Sequence, residues 1–185
     1  MEELREGAFI RSFVARDGRP VRLRAPRWSD LDDMLEFINS LVEEKAQITA
    51  MEKKTRDEEI DWLAKLLSDV EKDRRIAIAA EVDGRFIGLV EVTPERGPSA
   101  HVGILGIAVR DGYRDVGIGT EMIREAENQA RRLGIEIITL DVFASNLRAL
   151  HLYKKLGYKA VGCIPRFFKR DGAYIDRIIM AKTLT

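Results

Sequence analysis

One cysteine, two histidines and five prolines are all that 185 residues contain of those types. The lone Cys163 excludes a disulfide framework and a cysteine-based zinc site, and reads as a small residue inside a strand. Two histidines, His101 and His151, are too few for a histidine-ligated metal centre, so no metal is expected. Net charge is also missing: 31 basic residues balance 31 acidic ones, which gives no global pull toward nucleic acid or an anionic membrane. No apolar run approaches the ~20 residues that cross a bilayer. The N-terminal stretch Met1-Glu2-Glu3-Leu4-Arg5-Glu6 lacks a basic segment followed by an apolar one, so a cytoplasmic location is expected.

What is present is 45% hydrophobic residues and 34% charged ones, enough to build a core under a densely charged surface. Neither a linker nor a repeat interrupts the chain. Alternating residues 9–14 and 21–24 flank Asp17-Gly18 and predict a hairpin. A helix should begin at Ser29 with Leu31, Met34, Leu35, Ile38 and Leu41/Val42 on its apolar face, and residues 43–54 lack periodicity. Thr55-Arg56-Asp57-Glu58 is a capping box, and the helix it opens carries Ile60, Leu63, Leu67 and Val70. Strands are expected over 76–82 and 86–93, around the turn signal Asp83-Gly84, and over 100–109. A helix over 117–133 should bury Met122, Ile123, Ala126, Ala130 and Leu133 and end at Gly134. A strand over 135–142, a helix over 146–156 and a hairpin of 158–168 with 173–183 complete the pattern. The order β-β-α-α-β-β-β-α-β-α-β-β contains one parallel crossover between antiparallel hairpins. It predicts an α/β (α+β) fold with a mixed, mostly antiparallel central sheet and helices on both faces.

The chemistry concentrates where an apolar strand runs into a helix through Arg114-Asp115-Val116-Gly117-Ile118-Gly119-Thr120. The first amides of a helix lack internal partners and carry the positive end of its dipole. Glycines let an anion approach that backbone closely, a geometry suited to phosphate. A Walker-type loop would need Lys after Gly119, where Thr120 stands. The dinucleotide fingerprint would need a small residue where Met122 stands. An ordinary strand-to-helix turn remains the bland alternative.

Arg114-x-x-Gly117-x-Gly119 after an apolar strand resembles the cofactor motif of the GNAT superfamily of N-acetyltransferases. Leu140-Asp141-Val142, Asn146, Ala149, Leu152-Tyr153 and Gly157-Tyr158 resemble the second half of the same signature, in the same order and on the same elements. The likeness covers roughly residues 20–184. It implies a single acyl-CoA-dependent acyltransferase domain over residues 1–185, with 1–19 an extension that adds a strand. It also implies a sheet that splays between its two parallel strands. The acyl donor would be acetyl-CoA, held by Ile107, Ala108 and Val109 along the strand edge and by Arg114, Asp115, Val116, Gly117, Ile118, Gly119 and Thr120 at the pyrophosphate. Asn146, otherwise an ordinary N-cap, would add a contact.

The resemblance makes Tyr153 the acid that protonates the departing thiolate. Without it, Tyr153 is an aromatic on an amphipathic helix. A phenol of pKa about 10 remains protonated at neutral pH and can serve a thiol of pKa about 8.5. Many relatives carry a base at the position of Ile104, so the base is open: Asp141 is the candidate, with Glu91, His101 or a water chain as alternatives. The acceptor is expected to be a small primary amine, such as an amino acid, or else a protein N-terminus of the ribosomal type. Residues 43–54 and the hairpin around Arg166, Lys169 and Arg170 would bind it, those cations facing an acceptor carboxylate or simply solvent. A non-catalytic acyl-CoA sensor and a nucleotide-binding protein are the rival classes. The superfamily pattern leaves monomer and homodimer both open.

Overall fold

The computed structural model describes residues 5–184; residues 1–4, read above for a leader, and Thr185 lie outside them. Eight strands form one sheet in the order β1-β2-β3-β4-β5-β6-β8-β7. They are β1 (Phe9–Val14), β2 (Pro20–Arg24), β3 (Ile76–Val82), β4 (Arg85–Pro94), β5 (Val102–Val109), β6 (Ile137–Phe143), β7 (Lys159–Arg170) and β8 (Ala173–Thr183). The helices are α1 (Leu31–Glu43), α2 (Arg56–Glu71), α3 (Ile118–Arg132) and α4 (Leu147–Lys155). The mixed sheet with helices on both faces, and its element order, are those expected from the sequence.

Two apolar clusters flank the sheet. One packs α3 residues Met122, Ile123, Ala126 and Ala130 against Ile76, Ile78, Val90, Val92 and Leu105. The other packs α1 and α2, through Met34, Phe37, Leu41, Leu63 and Leu66, against Ala77, Ala79, Phe86 and Leu89. The alternating assignment along β3 follows from the two-residue period of a strand, and along β4 it shifts by one residue at the bulge between Phe86 and Gly88. The capping box forms as expected: the Glu58 amide donates to Thr55 Oγ1 at 3.3 Å, and the Thr55 amide to Glu58 Oε2 at 2.8 Å.

Some expectations are corrected. Phe37 and Leu66 are buried on their helices, whereas Leu35 and Leu67 are only half-buried. Leu133 is 38% exposed because it stands at the C-cap of α3, past its last buried turn. The helix expected at Ser29 starts as a short 3-10 turn over Trp28–Asp30. The strand expected from Ala100 begins at Val102, after a 3-10 turn at Gly97–Ser99.

The feature that makes the site is a break in the sheet. β5 and β6 run parallel and pair only at Val102, Gly103 and Ile104 with Ile137, Ile138 and Thr139. On its other side β5 stays paired with β4 out to Val109. Residues 105–109 therefore present a strand edge with no ladder partner toward β6. No helix among the described residues is long and apolar enough to cross a membrane.

Candidate active site

A groove of about 1170 Å³ opens at this break. Its floor is the unpaired edge of β5, including Gly106, Ile107, Ala108 and Val109; one wall is the α3 N-terminus and the other is α4 with the end of β6. Leu41 and residues 45–49 overhang it, and Phe168 reaches it from β7.

At one end the glycine loop turns the chain from β5 into α3. Gly117 occupies the N-cap position in the left-handed region at φ +92°, a conformation that strains any residue with a Cβ. Asp115 is also left-handed, at φ +63°. No side chain caps α3, so the amides of its first turn face outward without an intrahelical partner. Arg114, Asp115, Gly117, Gly119 and Thr120 all line the groove. Ile118 is buried and Val116 packs against the core, so those two offer only their backbone. The Arg114 guanidinium caps the carbonyl of Val109 at 2.7 Å and forms an ion pair with Glu44 just beyond α1. It thereby ties the glycine loop to the segment that overhangs the groove.

The opposite wall carries Asn146 and Tyr153. Asn146 Oδ1 accepts from the Ala149 amide at 3.1 Å, so the cap expected from sequence is formed, and the residue also lines the groove. Tyr153 is buried, its ring meeting Tyr158 edge-on at 5.8 Å between centroids. Burial pushes its phenol up to about 12, so it stays protonated through the physiological range. The Tyr153 hydroxyl has no hydrogen-bond partner among the described residues, although the residue borders the groove. Tyr158 differs: its hydroxyl donates to Glu127 at 3.0 Å, and Glu127 is held by Lys182 at 2.7 Å. Burial first, and the Glu127 carboxylate second, push that phenol up.

The candidate bases separate by position. Asp141 lines the groove and is ion-paired with Arg177 at 2.5 Å. Glu91 stands opposite Gly106 across the β4–β5 ladder but leans toward β3, pairing with Arg75 at 3.1 Å. Burial raises its carboxyl while Arg75 opposes the shift. It does not line the groove, nor does His101, whose carbonyl accepts from the Glu136 amide at 2.8 Å. Ile104 is 43% exposed and likewise outside the lining.

Of the closing hairpin's cations, Arg170 is engaged by the protein, which corrects the expectation that it faces a carboxylate or solvent, while Arg166 and Lys169 are exposed. Arg170 donates to the carbonyls of Lys45, Ala46 and Ile48 at 3.2, 2.7 and 3.1 Å, clamping the overhanging segment. Arg166 and Lys169 lie over the Tyr174 ring. Phe168 stacks on Phe143 at 3.8 Å between centroids, while Phe167 is exposed beneath Arg177. Contributions that sequence reasoning missed include Gln47, whose Oε1 accepts from Ser145 Oγ at 2.7 Å across the groove, and Arg16, which reaches it from the first hairpin. Neither carries a local signal, because both are distant in sequence from the elements they meet.

Residues 35–158 match the model of the acetyltransferase (GNAT) family. The chain belongs to that family. It is 28% identical over 92% of its length to an N-alpha-acetyltransferase of Sulfurisphaera tokodaii, and the match spans 97% of that relative. It is 29% identical over 57% of its length to the L-amino acid N-acetyltransferase AaaT of Escherichia coli, spanning 66% of it. The fold matches a phosphinothricin acetyltransferase of Sinorhizobium meliloti solved with acetyl-CoA, at TM-score 0.78 and 17% identity over 88% of each chain. The chain spans just under two thirds of AaaT and nearly all of the Sulfurisphaera relative, and the relatives of its GNAT domain include enzymes named for amino-acid and N-terminal acceptors.

Proposed function

We propose that this chain transfers an acetyl group from acetyl-CoA to the amine of an amino acid or similar small molecule. The observation that carries this reading is the continuity of one groove: an uncapped helix N-terminus at one end, an unpaired strand edge along the floor, and a protonated phenol on the facing wall. These features fit the donor in chemistry. Uncapped amides and a positive dipole suit a pyrophosphate. An open strand edge suits an arm built of amides, and its amides also suit the charge that develops on a carbonyl oxygen under attack.

In the reaction a free amine attacks the thioester carbonyl, the C–N bond forms, the C–S bond breaks, and the amine gives up a proton. Tyr153 supplies a proton to the departing sulfur. Asp141 accepts the proton from the amine, and Arg177 holds its carboxylate in place. The retained phenol, with no hydrogen-bond partner among the described residues, favours a catalyst over a non-catalytic sensor.

The small acceptor is favoured by the overhang. Residues 45–49 are clamped by Arg170 and bridged to Ser145 through Gln47, which narrows the entry beside Phe143 and Phe168. A protein N-terminus is the second reading, supported by the near full-length relative named for Nα-acetylation. We take the whole chain as one acyltransferase domain. The test is thiol release from acetyl-CoA against amino acids, polyamines and peptides with free N-termini. Release with free amino acids is the expected result; release only with peptides would move the acceptor to the second reading. CoA binding without release in any class would favour the sensor. Asp141→Asn should lower kcat without weakening CoA binding.

A further inference from the structure

The turn between β1 and β2 is docked on the glycine loop. The Arg16 amide donates to the Val116 carbonyl at 2.9 Å, and the Arg19 guanidinium donates to the Gly112 carbonyl at 2.7 Å while lying over the Tyr113 ring. This anchoring places the Arg16 side chain against the N-terminus of α3: its Nε is 3.4 Å from where a Cβ on Gly117 would stand. Three arginines line the groove, Arg16, Arg114 and Arg148. Arg114 is paired with Glu44, and Arg148 with Asp115 at 3.4 Å. Arg16 alone of the three has no carboxylate or hydrogen-bond partner for its guanidinium among the described residues. A guanidinium held by its backbone beside uncapped helix amides, with its charge uncompensated, is built to meet an anion.

We propose that Arg16 binds the pyrophosphate of the acyl donor jointly with the first-turn amides of α3, so that the N-terminal hairpin forms one side of the donor site. The inference rests on the acetyl-CoA reading above. It assigns a donor-binding role to a residue outside the glycine loop, on a segment that sequence alone reads as an added strand.

The experiment compares three donors in the thiol-release assay: acetyl-CoA, its 3′-dephospho form, which keeps the pyrophosphate, and S-acetylpantetheine, which has no phosphate. Arg16→Ala should lower kcat/KM about tenfold for the first two, the scale of one solvent-accessible charge-assisted hydrogen bond. The loss should reside in KM, and S-acetylpantetheine should be unaffected. Arg16→Lys should recover part of the loss, since the charge returns without the fork. The exposed side chain makes no hydrogen bond among the described residues, so the melting temperature should hold and serve as the folding control. Equal losses on all three donors, or none, would overturn the proposal, as would a loss confined to acetyl-CoA, which would assign Arg16 to the 3′-phosphate. A wild-type protein with no affinity for CoA would instead overturn the donor reading on which this one stands.

Discussion

Replacing Tyr153 with Phe removes one oxygen from a buried ring and tests the proposed chemistry with little structural disturbance. The hydroxyl has no partner among the described residues, so its loss strands no donor or acceptor there, and unfolding free energy should change by less than about 0.5 kcal/mol. The catalytic effect should be far larger. In water a phenol is a weaker acid than a thiol by about 1.5 pK units, about 2 kcal/mol against proton transfer. Burial widens the phenol's side of that gap, to about 12. A thiolate released in the same groove is desolvated by the same walls, however, so its own proton affinity rises and the transfer returns toward the aqueous cost. A modest uphill transfer places the benefit near the lower end of general acid catalysis, so Tyr153→Phe should lower kcat about a hundredfold. KM for acetyl-CoA should move less than about twofold, since a group acting only in the transition state contributes little to ground-state binding. The assay is steady-state thiol release with thermal melting in parallel. The same burial implies that ionisation of Tyr153 produces no alkaline decline in the wild-type pH profile below about pH 11. A Tyr153→Phe enzyme with wild-type kcat and an unchanged melting temperature would refute the assignment.

Other substitutions separate structure from function. Asn146→Ala should cost about 1 kcal/mol by removing the α4 cap, whereas Asn146→Ser should restore the melting temperature but leave KM for acetyl-CoA raised. Gly117→Ala should destabilise by about 1–2 kcal/mol, because φ +92° is strained for any Cβ, and should weaken CoA binding measured by calorimetry. Arg24 is 1% exposed and holds Asp30 at 2.7 Å and Glu81 at 2.8 Å, so Arg24→Met should cost about 3 kcal/mol in urea denaturation by leaving two buried carboxylates with the half-exposed Arg27 as their remaining cation. Burial raises the Glu59 carboxyl, so the fold favours its neutral form and loses stability as pH rises from the ordinary glutamate range through the raised value. Glu59→Gln should therefore raise the melting temperature at pH 7 and give no gain below about pH 4.

The architecture was readable because its signals are local. Turn dipeptides such as Asp83-Gly84 and Asp171-Gly172 do adopt left-handed conformations between strands, and the capping box at Thr55 forms as the spacing requires. What escaped was the depth of each side chain. On α1 the apolar stripe is broad, and Leu35, Phe37 and Ile38 all sit on or beside it. Phe37 is the one driven inward, because α1 crosses β4 where Phe86 offers an edge-on ring at 5.3 Å. Helical periodicity defines a face, and only the neighbour defines its centre.

The site divides in the same way. The glycine loop, Asn146 and Tyr153 belong to two short stretches, each on one wall of the groove, and their types and spacing carried the reading. The acid–base pairing did not lie within reach of spacing. Asp141 is visible in its motif, but its partner Arg177 arrives from a strand 36 residues later. That contact exists because β8, not β7, is laid against β6, which sets Arg177 opposite Phe143 and two residues along the same face from Asp141. The insertion of β8 between β6 and β7 thus brings a guanidinium to the candidate base while its neighbour Phe168 is carried in on β7 to stack on Phe143. Exchanging β7 and β8 in the sheet would preserve every motif in the sequence and dissolve this wall, so the chemistry at Asp141 depends on strand order as much as on the residue itself.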